Sequence, residues 1–319
     1  MIRLCLSALL LTTALPAHAD VAEAVKKHAL PGYARFAEKT AALAALDTCK
    51  TEPLQAAWNE AFDAWLGIAH LRLGPVEEDG RVLAIAFWPD PKGLGQKQQR
   101  ALLEAADTAA LTTDRMAEQS VAARGFFALE RLLWPSEPPQ GDYACALTHA
   151  TAKDLARMAA EIDGEWKKGF AETLINPRPD GRYLNRSETR QALFTALVTG
   201  IEFNADSRVG RPLGTLDRPR PERAEARLSG RSLRDITLSL EALRGLAHQL
   251  HDPLPQTDAA FDRALKQAEK VDLARLDDSG MWLKAQILQQ NIKAIAETAV
   301  IELAPALGSS VGFNSADGD

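Results

Sequence analysis

The chain has no surplus of positive charge: 37 Lys and Arg stand against 43 Asp and Glu, a formal net charge of −6. A nucleic-acid binder needs a basic surface to neutralise phosphates, so that class is excluded. Charges of one sign are not gathered into blocks, which leaves no acidic or basic interaction tail. The N-terminal apolar run is too short to span a bilayer, and nothing later reaches the needed length. Short alternating β-branched runs bounded by turns hardly occur, so strands are not expected. His-Glu-x-x-His is absent, and with it the paired imidazoles of a zinc peptidase helix. Gly-x-Ser-x-Gly is absent too, and Gly93-Leu-Gly95 follows no strand, so neither a serine nucleophile elbow nor a nucleotide loop is present.

The three cysteines are unevenly placed. Cys5 falls in an N-terminal stretch that reads as a secretory signal over residues 1–19. Arg3 is its positive region, Leu4 to Leu15 its apolar core, and Ala17-His-Ala19 its small-residue cleavage site. Cys5 lies too early for lipoprotein acylation, so the expectation is a soluble periplasmic protein cut after Ala19. Cys49 and Cys145 then reside in an oxidising compartment. Neither has a CxxC partner or a nearby histidine, which favours a disulfide over a reactive thiol or a metal pair.

What the sequence has in abundance is helical periodicity. A helix over Val21–Ala45 is expected to break at Pro31-Gly32. Glu52–Leu73 carries a stripe of Trp58, Phe62, Trp65 and Ala69 and stops at Gly74-Pro75. Residues 76–95 show no sustained period and read as a long loop, a class that is often functional. Gln96–Thr108 and Thr113–Trp134 complete a first set. Pro135-Ser-Glu-Pro-Pro-Gln-Gly141 reads as a linker. A second set follows: Tyr143–Leu174, Ser187–Arg208 with Ser187 as N-cap, Ser232–Leu250, Thr257–Glu269 and Gly280–Leu303. Asn176–Gly181 and Val209–Gly214 read as loops. The expected fold is all-α, with two helical bundles of about four helices, residues 20–140 and 141–319.

The central stretch is Ser120–Trp134, read as one amphipathic helix ended by Pro135. Within it Gly125 is a weak helix former, at a cost of about 1 kcal/mol against Ala, which close packing or a ligand would offset. Glu130 lies among Leu129, Leu132 and Leu133, and burying its carboxylate is costly unless it is paired or metal-bound. The alternative is a boundary carboxylate paired with Arg131 or a neighbouring helix. Phe127, three residues earlier, shares its surface.

Gly125-Phe-Phe-Ala-Leu-Glu130 resembles the Gly-x-His-x-x-Glu motif of imelysin-like proteins, a bacterial cell-envelope family. Leu71–Pro75, Phe87–Asp90, Gly210–Gly214, Leu228–Asp235 and Gly312–Asp319 match in family order, and the resemblance covers about residues 25–310. The sequence departs at one position: the motif histidine is Phe127, which has no lone pair to donate. The resemblance implies an all-helical fold of two similar bundles with a cleft between them. It also implies a role in iron uptake or homeostasis, with iron or haem as cofactor and envelope iron-transport components as partners. By the same resemblance Gly125, Phe127, Glu130, Trp88, Asp90, Arg72 and Arg211 are ligand-binding candidates, and Glu130 is the metal candidate.

Three functions follow. The first is a non-enzymatic protein that binds a metal-containing ligand or a partner at the cleft, with Glu130 as a polar anchor. The second is a metallopeptidase, the older family label, disfavoured by Phe127. The third is an interaction scaffold in which the motif helix is structural. Other groups stay open: His248 and His251 as a weak metal pair or as dipole-favoured residues at a helix end, and His70 as a cleft or core histidine. Asp90 reads as a turn or cap residue, and Asp317-Gly-Asp319 as a cation site or a solvated tail. His28 and His149 are isolated.

Overall fold

The structure, a computed structural model, describes residues 20–135, 139 and 141–308. The signal segment, the matching stretch from Gly312 and most of the proline-rich linker lie outside them. The described chain is all-α, with no strand among the described residues. Among the described residues nine helices are longer than two turns: α1 (Leu30–Ala44), α2 (Thr51–Leu66), α3 (Leu94–Ala105), α4 (Gly125–Leu133), α5 (Asp142–Glu165), α6 (Arg186–Glu202), α7 (Ser232–Leu250), α8 (Pro255–Ala268) and α9 (Ser279–Leu307).

α1, α2, α4 and α5 pack on one another, as do α6, α7, α8 and α9. The seam expected at residue 140 falls inside the first group, because α5 follows it and packs along α1 and α4. Leu147, Leu155, Met158 and Ile162 give α5 an apolar stripe at helical spacing, all buried, and that stripe outweighs the prolines as an indicator of where the chain goes. Cys49 and Cys145 are joined as a disulfide that ties the start of α5 to the approach to α2. It closes a loop of 96 residues, an entropic constraint of about 4–5 kcal/mol on the unfolded chain. His149, one helical turn after Cys145, lies beside the pair after all. One apolar core runs through both packing groups, with Trp58, Trp166, Tyr33, Phe36 and Phe62 fully buried.

Several segments differ from expectation for identifiable reasons. Pro31 and Gly32 do not break the first helix: Val21–Ala24 continues through a π-helical segment, Val25–Ala29, into α1. Pro31 then sits in the first turn of α1, where its missing N–H matters least, and a Cβ on Gly32 would lie 2.6 Å from Ile68 Cδ1. Residues 76–95 are not one loop but two 3₁₀ turns, a helical turn Arg81–Ile85, and an irregular run with a turn at Pro91-Lys92 before Gly93. Val209–Gly214 includes a helical turn, Gly210–Leu213. Asn185, not Ser187, caps α6 by accepting from the Glu188 N–H at 3.1 Å. Two further π segments follow helices directly, Trp166–Phe170 after α5 and Phe203–Val209 after α6.

Candidate functional site

The motif stretch is not one helix. Val121–Ala123 is a 3₁₀ turn, Arg124 is extended, and α4 begins at Gly125. Gly125 therefore stands at the helix start with φ +67°, and a Cβ there would lie 2.2 Å from the carbonyl oxygens of both Ala84 and Ile85. Glycine is required by this contact and by the left-handed backbone, which locks the start of α4 onto the Arg81–Ile85 turn. Arg124 is held by a buried pair with Asp154 on α5 at 2.8 Å, and Trp58 donates to the Phe126 carbonyl at 3.1 Å.

This anchoring turns one face of α4 towards the segment between α6 and α7. Glu130 is 4% exposed, and its Oε1 accepts from the Ser229 N–H (2.8 Å) and the Ser229 hydroxyl (2.7 Å). Burial raises its pKa most, against the Ser229 hydrogen bonds and the Arg131 charge, while the Glu225 charge raises it further. Phe127, 5% exposed, meets Phe62 edge-on at 5.8 Å.

Asp90 serves as a cap: its carboxylate accepts from the Leu94 and Gly95 N–H groups at 2.9 and 2.7 Å, at the positive end of α3. Gly95 leaves room for the Arg131 guanidinium, whose Nη1 would lie 2.7 Å from a Cβ. Arg131 donates to Gln99 Oε1 and to the Ala122 carbonyl, both at 2.8 Å. Burial lowers its pKa to about 10, opposed by the charges of Asp90 and Glu130. It remains a cation at neutral pH.

Trp88, Asp90, Phe127, Glu130 and Arg211 together line a cavity of about 220 Å³, shared with Arg131 and with Glu222, Arg223 and Arg227. Gly125 acts behind it through packing. Arg72 is not there: it borders a separate, larger cavity. Arg211 brings a buried Nε with no hydrogen-bond partner among the described residues. Four arginines against three carboxylates give the cavity a cationic lining suited to an anion.

Sequence reasoning missed what lies behind this wall. Glu225 accepts from Arg208 Nε at 2.6 Å, Arg208 donates to Asn204 Oδ1 at 3.1 Å, and Asn204 Nδ2 donates to the Ser239 hydroxyl at 2.9 Å. Asp235 is fully buried with neither carboxylate oxygen hydrogen-bonded, its nearest cation being Arg231 Nε at 3.5 Å. Burial, then the Glu225 charge, holds its pKa well above the usual carboxylate range. Ser229, Arg231 and Asp235 sit within the Leu228–Asp235 segment that matched in order, but no single residue there signals a role.

Metal ligation by Glu130 does not fit these donors. Among the described residues, only Cys49, Cys145 and His149 bring three His, Cys, Asp or Glu ligand atoms within 4.8 Å of one another, and the two sulfurs are bonded together. Glu130 Oε1 is committed to Ser229, and Phe127 offers no ligand.

Comparison with known proteins agrees with the all-α fold. The Imelysin family model matches residues 29–307. Iron-regulated protein A of Synechococcus elongatus is 26% identical over 193 residues, 58% of this chain, and the match spans 49% of that relative's length. An imelysin-like protein from Psychrobacter arcticum 273-4 superposes with a TM-score of 0.78 at 20% identity, covering 92% of this chain and 96% of its own. A putative iron-regulated protein A precursor from Parabacteroides distasonis ATCC 8503 gives 0.67 at 13% identity, covering 90% and 97%.

Proposed function

The chain belongs to the imelysin family, and from that premise we propose an exported, non-enzymatic protein of iron uptake or homeostasis whose cleft at α4 binds an anionic iron complex rather than the bare ion. The iron role is drawn from the name of the cyanobacterial relative and from the resemblance. Periplasmic residence is drawn from the N-terminal residues; no described helix is long and apolar enough to cross a membrane. The observation that carries the ligand class is Arg211, which lines the cavity with Arg131, Arg223 and Arg227 against Asp90, Glu130 and Glu222, and whose Nε is buried without a hydrogen-bond partner among the described residues. A guanidinium left without an acceptor in a polar cavity is satisfied by a carboxylate or similar anion. Glu130, bonded to Ser229, fixes the wall of the site.

Calorimetric titration of the chelator-treated protein with ferric citrate, haem and ferrous ion tests this. Ferric citrate or haem should bind saturably and weaken about tenfold, 1.4 kcal/mol, in Arg211→Gln, with Arg72→Gln unaffected. Tight binding of ferrous ion alone, lost in Glu130→Gln, would overturn it in favour of a metal-ion site.

A scaffold role is the second reading. It is favoured by the Glu130–Ser229 contact, which already satisfies the carboxylate within the chain, and it predicts no binding of any of the three probes.

A further inference from the structure

A larger cavity, about 510 Å³, opens between the Ala69–Arg72 turn, the end of α6 and α7. Trp88, on the wall of the Glu130 cavity, meets Phe203 edge-on at 5.9 Å, and Phe203 borders the larger one. The two rings therefore stand between the cavities. Phe203 opens the π-helical segment Phe203–Val209, a widened turn of the kind often found at functional sites.

Three basic side chains converge here. Arg72 lies over the Phe203 ring at 4.8 Å and Arg208 at 5.1 Å. Arg208 is buried and committed to Glu225 and Asn204. Arg72 makes no ion pair and no side-chain hydrogen bond among the described residues. His70 is 6% exposed, its Nε2 stands 2.8 Å from His28 Nε2, and its Nδ1 is buried without a partner. Gly200 admits His70 against α6: a Cβ there would lie 2.9 Å from His70 Cβ and 2.7 Å from Leu243 Cδ2. When His28 donates through Nε2, His70 is the Nδ1–H tautomer and presents a donor that lacks an acceptor. A buried donor of that kind is costly unless something accepts from it. Glu202 and Asp206 also border the cavity, but both are exposed, and Asp206 is paired with Lys293 at 3.1 Å.

We propose that this cavity is a second ligand site, separate from the Glu130 cavity, for a small organic anion whose carboxylate or phosphate oxygens accept from the Arg72 guanidinium and His70 Nδ1. Ala69 and Phe203 supply carbon surface for the rest of the ligand. Its volume lies in the range of small-molecule sites. The site does not depend on the iron reading, since none of its residues borders the Glu130 cavity.

The purified chain is titrated by calorimetry with acetate, benzoate and inorganic phosphate, and the histidine ring nitrogens are followed by ¹⁵N NMR. At least one probe should bind saturably at millimolar concentration or below and shift the His70 Nδ1 signal. Arg72→Gln, a substitution at an exposed position, should weaken binding about tenfold, Arg72→Lys should recover part of it, and Arg211→Gln should leave it unchanged. Preference for the carboxylates or for phosphate decides which oxyanion the site takes. Absence of binding by all three probes, equal binding by Arg72→Gln, or loss of binding in Arg211→Gln would each overturn the assignment.

Discussion

Glu130 and Ser229, 99 residues apart, meet through two hydrogen bonds of 2.8 and 2.7 Å to one carboxylate oxygen. That contact fastens the segment before α7 to α4 and joins the two helical packing groups at the candidate cleft. The motif glutamate thus has an architectural partner within the chain.

Removing the acceptor should cost more than removing the charge. Glu130→Ala leaves the Ser229 N–H and hydroxyl without their partner, a loss of about 1–3 kcal/mol. Glu130→Gln keeps an oxygen in place and should cost less than half as much. Urea midpoints of the two variants measure the difference; equal losses would mean that the negative charge, not the hydrogen bonds, holds the segment.

Two glycines with nearly the same φ should respond very differently to alanine. Gly93 has φ +64° and nothing within 4 Å of an added Cβ, so Gly93→Ala carries only the left-handed strain of about 1 kcal/mol. Gly125→Ala adds collision with two backbone carbonyls at 2.2 Å, which cannot swing aside as a side chain would. It should cost about 3 kcal/mol or more, or prevent folding. Thermal unfolding of the pair is the check, and similar shifts in Tm would refute the close approach at α4.

The His28–His70 pair sets an acid limit. Burial lowers the His28 pKa from 6.5 to about 4, and His70 falls well below its ordinary value through burial, His28 and Arg208. Between about pH 6.5 and 4 the unfolded chain therefore binds more protons than the folded one, so stability falls as pH is lowered. The His28 share corresponds to about 3 kcal/mol across that window. Denaturant unfolding measured from pH 7 to 4 should show this slope, flattened in His28→Gln; an unchanged slope in the variant would place the acid sensitivity elsewhere.

The helices were legible because their periodicity is local. Trp58, Phe62 and Trp65 announce α2, and Leu147 to Ile162 announce α5, wherever those helices end up. The π segments were not legible, since Val25–Ala29, Trp166–Phe170 and Phe203–Val209 have no composition that distinguishes a wide turn from an ordinary one. Gly125 shows the same limit: the sequence marks an unusual glycine, but only the backbone of Ala84 and Ile85 says why.

By itself the sequence determined an all-α chain with an imelysin motif, because helical stripes and short motifs depend on neighbours a few residues away. Gathering Trp88, Asp90, Phe127, Glu130 and Arg211 around one cavity, while sending Arg72 to another, was decided only in the tertiary structure. So were the Glu130–Ser229 bond, the buried Asp235 carboxylate without a hydrogen bond, and the His28–His70 pair. Each depends on which helix faces are buried against which, and the long-range packing of α1 with α5 and α6 with α9 sets that placement.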